Sequence, residues 1–296
     1  MSQWYPQKTY KKGLREQIGG DMILLALVKL SDSYTGNCLR IKRVSDNAEQ
    51  DIGFDSNGYF DMTAFNTFVS SSDTGFVKTW YDQSGAGYNA TQSNIAFMPR
   101  IVVDSTGFIV PSKPGFPFVY FDGTNDYLSF SGTALTFSKK LCGMTGMVAG
   151  RVINQSAVKY LYHMSTGADT NPRSAIRINA DNTIGALARS LDGDTTAATT
   201  TQANGFNMDV FVNNTNFFTP STQLLIDQVS VGSTGTGMTG GSSSNTNSLT
   251  FNLGADASGA NTVQLWSAAF VFNNRILGAV DQATMPNMIR TIYGTP

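Results

Sequence analysis

Short apolar runs separated by turn residues fill the chain from about residue 95 to residue 273. Phe118–Phe121, Met144–Val152 and Val263–Asn273 are typical, and Gly, Pro, Asn or Asp stands between most of these runs. Many short strands with turn residues at regular spacing are characteristic of antiparallel sandwiches. The pattern therefore predicts an all-β jelly-roll sandwich, with Gly232–Ser248 as a long surface loop and Gln223–Val231 as one strand.

The acidic residues support the same fold class. Of 21 acidic residues only Glu16 and Glu49 are glutamates, and all the others are aspartates. Aspartate favours turns and caps, whereas glutamate favours helix interiors. Helices are therefore expected at few places: Met22–Leu30 behind a capping Asp21, Met62–Val69, and Val280–Ile292 near the end. The first two form a short helical N-terminal insert.

The chain divides into an N-terminal arm, residues 1–20, and one sandwich domain, residues 21–296. The arm is polar and carries Trp4, Tyr5 and Tyr10. Exposed aromatic residues on a terminus often anchor a chain to a partner. Packing of the three rings against the domain is an equally good interpretation.

A net charge of −1 gives the chain no field that would attract nucleic acid. No segment approaches the roughly 20 apolar residues that a membrane helix needs. The apolar run Met22–Val28 follows a basic cluster, but Glu16 and Asp21 lie between the two and no small-residue cleavage site follows. We therefore expect no signal peptide and no membrane insertion.

Three ordered motifs lie between residues 22 and 92. They are Leu30–Gly36, Arg43–Asp46 with Asp51–Gly53, and Tyr81–Gly85 followed by Asn89 and Thr91–Gln92. Together they resemble the "L-x-x-S-Y-x-G", "R-x-S-D…D-I-G" and "Y-D-Q-S-G-x-G-x-x-x-T-Q" segments of the α-L-arabinofuranosidase B catalytic domain. That family is a jelly-roll sandwich which removes arabinose from polysaccharides.

A second, more general resemblance covers residues 113–277. Lys113–Leu128 is similar to the opening strands of concanavalin A-like, laminin G-type domains, and Leu224–Val231 and Leu253–Leu277 are similar to their later strands. The resemblance implies a concanavalin A-like jelly-roll sandwich for the main domain.

The arabinofuranosidase resemblance also implies catalytic residues. A retaining glycosidase needs two carboxyl groups about 5–5.5 Å apart. The family's acid/base aspartate lies in a "G-G-D-N-S" segment that Gly254–Ser258 resembles, so Asp256 is the candidate acid/base. Its nucleophile is a glutamate, and no glutamate follows Glu49. An aspartate is available in its place at five positions: Asp169, Asp181, Asp192, Asp194 and Asp209.

The Trp80–Gln83 segment has two interpretations. Asp82 and Gln83 have the chemistry to hydrogen-bond a sugar, with Trp80 or Tyr81 stacking on it. A tight turn with a backbone-capping Asp82 explains the same residues and is favoured. Trp266 likewise suits either the core, which is favoured, or a sugar-stacking platform.

Oxygen ligands for calcium are available in the loop from Asp122 to Asp126. Hairpin turn chemistry explains that loop with fewer assumptions, so no metal or other cofactor is expected. His163 is the only histidine and is interpreted as a structural residue on a strand.

The missing glutamate favours a non-catalytic domain. Similarity to bacteriophage proteins with this motif combination implies a virion structural protein, namely a tail, fibre or capsid-decorating subunit. In that hypothesis residues 1–20 dock on other virion proteins, the sandwich binds host surface glycans, and the subunit is a homo-oligomer. One alternative is an arabinofuranosidase-like glycoside hydrolase acting on surface polysaccharide. A second is a purely architectural virion subunit.

Overall fold

The computed structural model describes residues 13–70, 73–104, 115–132, 137, 143–153, 155–165, 172–189, 208–217, 221–227, 229–234 and 250–293. Three α-helices lie in this part of the chain: α1 (Leu14–Ile18), α2 (Met62–Phe68) and α3 (Ala279–Tyr293). A 3₁₀ turn covers Ile95–Phe97. Strands make up most of the remaining regular structure.

The first nine strands are β1 (Met22–Ala26), β2 (Leu39–Arg43), β3 (Glu49–Ile52), β4 (Gly75–Trp80), β5 (Ala90–Thr91), β6 (Arg100–Asp104), β7 (Phe116–Asp122), β8 (Leu128–Ser129) and β9 (Gly143–Val152). The other eight are β10 (Lys159–Ser165), β11 (Pro172–Ile178), β12 (Ile184–Ala188), β13 (Asp209–Asn216), β14 (Ser221–Ile226), β15 (Val229–Thr234), β16 (Thr250–Leu253) and β17 (Gln264–Asn273).

All strand pairs are antiparallel, and they form two facing layers. One layer runs β15–β14–β13–β9–β17 and continues through β7 to β6, with β1 beside the second half of β17. The other runs β12–β11–β10–β16–β8. β4 links the layers because it pairs with both β6 and β5. The predicted all-β sandwich is confirmed, whereas the finer concanavalin A-like assignment stays a prediction.

Aromatic rings fill the space between the two layers. Phe272 of β17 meets Tyr162 of β10 with ring centroids 4.9 Å apart and Phe251 of β16 at 4.8 Å. All three side chains are buried. Edge-to-face contacts of this kind add about 0.5–1.5 kcal/mol per pair beyond the buried area. The apolar side chains of these strands therefore form a continuous core between the layers.

A buried polar network also joins the layers. The side-chain amide of Asn213 on β13 donates to the carbonyl oxygens of Ala175 and Leu187 at 3.1 and 3.0 Å. Its oxygen accepts from the hydroxyls of Thr215 and Thr222 at 3.0 and 2.8 Å. Every partner is satisfied, so the network favours one relative placement of the two layers over others.

The helix predicted over Met22–Leu30 is wrong, because Met22–Ala26 is strand β1. Its side chains are buried on both faces: Ile23 and Leu25 lie in the core between the layers, and Met22, Leu24 and Ala26 lie in a second cluster on the outer side of β17. A strand buried on both faces is apolar at every position. Periodicity alone cannot distinguish such a run from a buried helix.

The other two predicted helices are confirmed. α2 matches the prediction for Met62–Val69, and the carboxylate of Asp61 caps it by accepting from the backbone N–H of Ala64 at 2.9 Å. α3 matches the prediction for Val280–Ile292 and contains Pro286. The strand predicted over Gln223–Val231 is two strands, because Asp227 turns the chain between β14 and β15 with φ of 48°.

Part of the predicted arm packs on the domain. Leu14 and Ile18 of α1 are buried, and the backbone N–H of Gly13 donates to the Asp32 carboxylate at 2.6 Å. Trp4, Tyr5 and Tyr10 lie outside the described residues. Residues 13–20 therefore belong to the domain, while docking by the preceding residues stays a prediction.

Within the described part of the chain, no helix combines the length and apolarity required to cross a membrane. This finding concerns helices alone.

Candidate active site

The Tyr81–Gly85 motif forms a buried clamp on β1 and the residues after it. Gln83 is 1% exposed, and its side-chain oxygen accepts from the backbone N–H of Leu30 at 2.7 Å. Its side-chain nitrogen donates to the carbonyl oxygens of Ala26 and Val28 at 2.9 and 3.0 Å. One amide thus bonds three buried backbone groups, which explains why a glutamine stands there.

Asp82 performs a similar task one residue earlier. Its carboxylate accepts from the backbone N–H groups of Leu24 and Ser84 at 2.9 Å each, from the Ser84 hydroxyl, and from the Tyr88 N–H at 3.1 Å. Asp82 is 3% exposed. Burial raises the pKa of this carboxyl, and the hydrogen bond from the Ser84 hydroxyl opposes that effect.

These contacts correct the predicted sugar site. Trp80 is fully buried and meets Phe270 edge-to-face at 5.8 Å between ring centroids, so it has no face to offer a sugar. Asp82 and Gln83 direct their polar atoms at backbone groups in the interior. Only Tyr81 is part-exposed, and its hydroxyl donates to Asp51 at 2.8 Å. The segment follows the favoured interpretation as a structural turn.

Asp256 lies in the loop between β16 and β17, residues 254–263. The backbone N–H groups of Ser258 and Ala260 each donate to its Oδ1 at 2.9 Å, and the Ser258 hydroxyl donates to the same oxygen at 2.7 Å. The side-chain nitrogen of Asn261 donates to Oδ2 at 2.8 Å. All four donors lie within five residues of Asp256, so the loop itself builds this site.

The protonation state of Asp256 follows from those donors. Partial burial acts to raise the pKa of the carboxyl, but the hydrogen bonds from Ser258 and Asn261 outweigh it and the net shift is downward. A carboxylate held ionised suits a nucleophile or a general base. A general acid needs a raised pKa. These hydrogen bonds therefore suit Asp256 better as a general base than as a general acid.

A polar strand face adjoins the Asp256 loop. It consists of Ser129, Tyr160, His163, Arg177 and Asn252, which we call the polar face. Strand register places His163 opposite Asn252 and Tyr160 opposite Arg177, while Tyr162 and Ile176 point into the core. Asn252 accepts from the Ser129 hydroxyl at 2.7 Å and donates to the backbone oxygen of Asp256 at 2.6 Å.

Donors and rings are grouped on the polar face. The rings of Tyr160 and His163 meet edge-to-face with centroids 5.0 Å apart. Among the described residues, the Nε of Arg177 has no hydrogen-bond partner. Because register pairs on neighbouring strands are about 4.8 Å apart, Arg177 lies one strand from Tyr160. The face therefore combines an aromatic hydroxyl, an imidazole, an amide and a guanidinium beside an ionised carboxylate.

The sequence interpretation missed the polar face because it treated His163 as an isolated residue. The sequence signal is weak, because a register shift between Tyr160 and Tyr162 interrupts the alternation of polar and apolar residues along β10. Alternation on two neighbouring strands predicts one face that is not core. His163 remains 1% exposed, in keeping with its structural interpretation.

Two of the five alternative carboxylates are described. Asp181 lies in the β11–β12 turn, where hydrogen bonds from Thr183 lower its pKa. Asp209 begins β13; burial, together with the negative charge of Asp227, raises its pKa to about 7. Asp169, Asp192 and Asp194 lie outside the described residues. No hydrogen bond in the described part of the chain joins Asp256 to another carboxylate.

The predicted calcium loop has the geometry of a turn. Asp122 accepts from the backbone N–H groups of Thr124 and Asn125 at 2.7 and 3.3 Å, and Asp126 accepts from that of Asp122 at 2.9 Å. Burial raises the pKa of Asp126 to about 7. No group of three or more His, Cys, Asp or Glu side chains suited to a metal is present among the described residues. The expectation of no cofactor, with calcium at Asp122 and Asp126 as its alternative, stays a prediction.

Trp266 lies on β17, two residues beyond the strand's first residue, Gln264. Its ring packs edge-to-face against Phe118 and Tyr120 at 6.1 and 5.1 Å between centroids. The side chain is part-exposed and borders the outer cluster rather than the core between the layers. Both predicted roles of Trp266 are therefore compatible with its position.

One known protein family matches part of this chain. The family model "Alpha-L-arabinofuranosidase B, catalytic" matches residues 26–102, less than half of the chain. The matched region contains the Gln83 clamp and all three ordered motifs. No curated protein matches the chain.

Solved structures share the fold at low identity. An arabinofuranosidase complexed with arabinofuranosyl-α-1,2-xylobiose matches with a TM-score of 0.69 and 14% identity, over 95% of this chain and 64% of that one. A GH54 α-L-arabinofuranosidase matches with a TM-score of 0.64 and 12% identity over the same shares. The Trypanosoma rangeli sialidase matches with a TM-score of 0.51 and 12% identity, over 74% of this chain and 32% of that chain.

The chain thus spans slightly less than two thirds of the arabinofuranosidases it matches. The predicted non-catalytic bacteriophage structural role is wrong, because the family model and the arabinofuranosidase structures favour the hydrolase alternative. The virion placement, its partners along residues 1–20 and the homo-oligomer were parts of that hypothesis, and the structure does not test them.

Proposed function

We propose that this chain is a glycoside hydrolase domain of the α-L-arabinofuranosidase type. The observation that carries the proposal is the family-model match over residues 26–102, within a chain whose fold follows arabinofuranosidase structures over 95% of its length. The matched motifs build the scaffold, as the Asp82 and Gln83 contacts illustrate. The chemistry is assigned to the other end of the chain, at Asp256 and the polar face.

Asp256 supplies an ionised carboxylate to this reaction. In a retaining glycosidase one carboxylate attacks the anomeric carbon while a second carboxyl group protonates the leaving oxygen, and in an inverting enzyme the carboxylate activates water instead. Asp256 has the protonation state for attack or for base catalysis. The polar face beside it offers the part-exposed Tyr160 and Arg177 as hydrogen-bonding groups for sugar hydroxyls.

The second carboxyl group belongs to an aspartate, because no glutamate follows Glu49. Asp209, with its pKa raised to about 7, has the protonation state of a general acid. The other candidate partners of Asp256 are Asp169, Asp181, Asp192 and Asp194. Replacement of each by asparagine in turn identifies the partner as the variant that loses turnover while keeping its unfolding midpoint.

The test is hydrolysis of 4-nitrophenyl α-L-arabinofuranoside and release of arabinose from arabinoxylan by the full chain. We expect turnover by the wild type and a loss of about 10²–10⁴-fold in kcat for Asp256→Asn. Asp55→Asn is the matched control, since Asp55 also accepts backbone N–H groups in a turn, those of Asn57 and Tyr59 at 2.9 Å each. No turnover by a cooperatively folded wild type, or full turnover by Asp256→Asn, contradicts the proposal.

A further inference from the structure

A row of large side chains crosses three strands on the outer side of the β17 layer. Strand register places Trp266 of β17 opposite Tyr120 of β7, and Tyr120 opposite Arg100 of β6. Residues directly opposite one another on adjacent strands project from the same face. The three side chains therefore form one surface, which we call the aromatic row.

Close contacts hold the aromatic row in place. The rings of Tyr120 and Trp266 are 5.1 Å apart between centroids, and the guanidinium of Arg100 lies over the Tyr120 ring at 5.3 Å. The side-chain nitrogen of Gln264 donates to the Tyr120 hydroxyl at 2.7 Å. Side chains that are already fixed lose little conformational entropy when a ligand binds.

The row differs from the rest of its strand face in exposure. Phe116 and Phe118, which precede Tyr120 at alternate positions of β7, are 3% and 0% exposed, and Tyr59 packs on Phe116 at 5.9 Å. Tyr120 and Trp266 are part-exposed and Arg100 is exposed. The outer cluster therefore ends at the aromatic row, where two rings reach the surface.

A cleft continues the row beyond β6. It has a volume of about 280 Å³ and lies between α2 and the edge of β6, with Asn66, Asp73, Arg100 and Val102 among its lining residues. Hydrogen bonds from Ser45 and Thr74 lower the pKa of Asp73, so its carboxylate is ionised. Arg100 belongs to both features, so the cleft adjoins the aromatic row.

We propose that the aromatic row and this cleft bind a neutral glycan chain. A sugar ring presents C–H groups on its faces and hydroxyls at its rim, which complement an aromatic surface flanked by planar donors and acceptors. Gln264, Arg100 and Asp73 provide those donors and acceptors. Guanidinium and carboxylate groups are both present, so the surface has no single sign of charge with which to select a polyanion.

The aromatic row and the cleft together are longer than one sugar ring. Three adjacent strands span about 10 Å from Trp266 to Arg100, and the cleft extends the surface further. β17 begins at Gln264, directly after the loop that holds Asp256. A polysaccharide held on the aromatic row therefore lies at the same end of β17 as the carboxylate assigned to catalysis. The row itself goes beyond the proposed reaction and does not depend on it.

Affinity electrophoresis of the full chain in gels containing soluble arabinoxylan tests the proposal. We expect the polysaccharide to retard the wild type, and Trp266→Ala to weaken the affinity about tenfold. Arg100→Ala removes an exposed side chain and so leaves the fold intact; it is expected to weaken binding as well. Arg40→Ala, on β2, is the control for the loss of an arginine away from the aromatic row, because that side chain is part-exposed and bonds Glu49 and Asp51 instead.

Asp256→Asn separates this proposal from the proposed hydrolysis. Retardation of Asp256→Asn equal to that of the wild type supports a binding surface distinct from the catalytic carboxylate, whether or not arabinose is released. Absence of retardation in the wild type overturns the proposal. So does equal retardation of the wild type, Trp266→Ala and Arg100→Ala, and so does retardation only by polygalacturonate, the polyanionic control.

Discussion

Asp82 and Asp256 each accept four hydrogen bonds, yet their pKa values shift in opposite directions. Asp82 is 3% exposed, and burial raises its pKa despite its donors. Asp256 is part-exposed, and its donors outweigh burial so that its pKa falls. The donors of Asp82 include Leu24, which lies 58 residues away, whereas all those of Asp256 lie within five residues. Asp82 therefore joins distant segments of the fold, whereas the hydrogen bonds of Asp256 stay within its own loop.

The largest test of that contrast is Gln83→Ala, in the Asp82 segment. It removes the hydrogen-bond partner of the Leu30 N–H group and of the Ala26 and Val28 carbonyl oxygens. We expect a loss of about 3–5 kcal/mol in the free energy of unfolding, because buried donors and acceptors left unsatisfied each cost about 1–3 kcal/mol. Urea denaturation measures it. Gln223→Ala is the control, since that amide is part-exposed and, among the described residues, donates to the Ser230 hydroxyl at 3.0 Å. A loss below 1 kcal/mol for Gln83→Ala argues against the clamp.

Glycine-to-alanine substitution is expected to destabilise the protein more in the Asp256 segment than in the Asp82 segment. Gly254, two residues before Asp256, has φ of 83°, and an added Cβ lies 2.5 Å from the Phe121 ring. Gly85, in the Asp82 motif, has φ of 86° with nothing within 4 Å of that position. Gly254→Ala should cost about 3 kcal/mol through strain and overlap, and Gly85→Ala about 1 kcal/mol through strain alone. Equal thermal shifts in the two variants contradict the geometry.

Asparagine at each carboxylate gives a smaller effect. Asp82→Asn should destabilise by about 2 kcal/mol, because the Tyr88 N–H cannot turn away from the new amide. Asp256→Asn should cost about 1 kcal/mol or less, since the side-chain amide of Asn261 can rotate to present its oxygen. Chemical denaturation at pH 7 compares the pair. A larger loss for Asp256→Asn means that its loop contributes more to the fold than its local contacts imply.

The pH dependence of the same two variants should have opposite signs. The raised pKa of Asp82 means that the folded state binds the proton more tightly, so its contribution falls as pH rises from about 4 through the folded pKa. The lowered pKa of Asp256 gives a contribution that is present above about pH 4 and is lost as pH falls. Unfolding midpoints between pH 2.5 and 7, each compared with the wild type, measure both slopes. Parallel slopes contradict the assigned pKa directions.

Local patterns predicted most of the secondary structure. α2 was predictable because Asp61 caps a short apolar periodicity, and β9 and β17 because turn residues bound long apolar runs. β1 was not, because the run from Met22 to Leu30 is apolar at every position and its two buried faces arise only when β17 lies beside it. Alternation did not reveal the polar face, because the register shift in β10 brings Tyr160 and His163 to one side, and only strand register placed His163 beside Asn252.

The candidate site was predictable in part. A resemblance of Gly254–Ser258 to a known segment located Asp256, and the structure adds its donors and ionised state. At Trp80, Asp82 and Gln83 the favoured interpretation as a structural turn is confirmed and the sugar-binding alternative is wrong, since these buried residues build the scaffold. Trp266 lies between these cases, with one edge against Phe118 and another at the surface.

The sequence by itself determined the fold class, since turn residues between short apolar runs permit few architectures other than a sandwich. The sequence also shows only two glutamates, Glu16 and Glu49, both outside the region where the arabinofuranosidase resemblance places a nucleophile. Tertiary structure alone decided which polar residues are buried: Gln83 and Asp82 satisfy backbone groups more than 50 residues away. The physical reason is that hydrogen-bond satisfaction and desolvation depend on neighbours in space, which residue types along the chain do not specify.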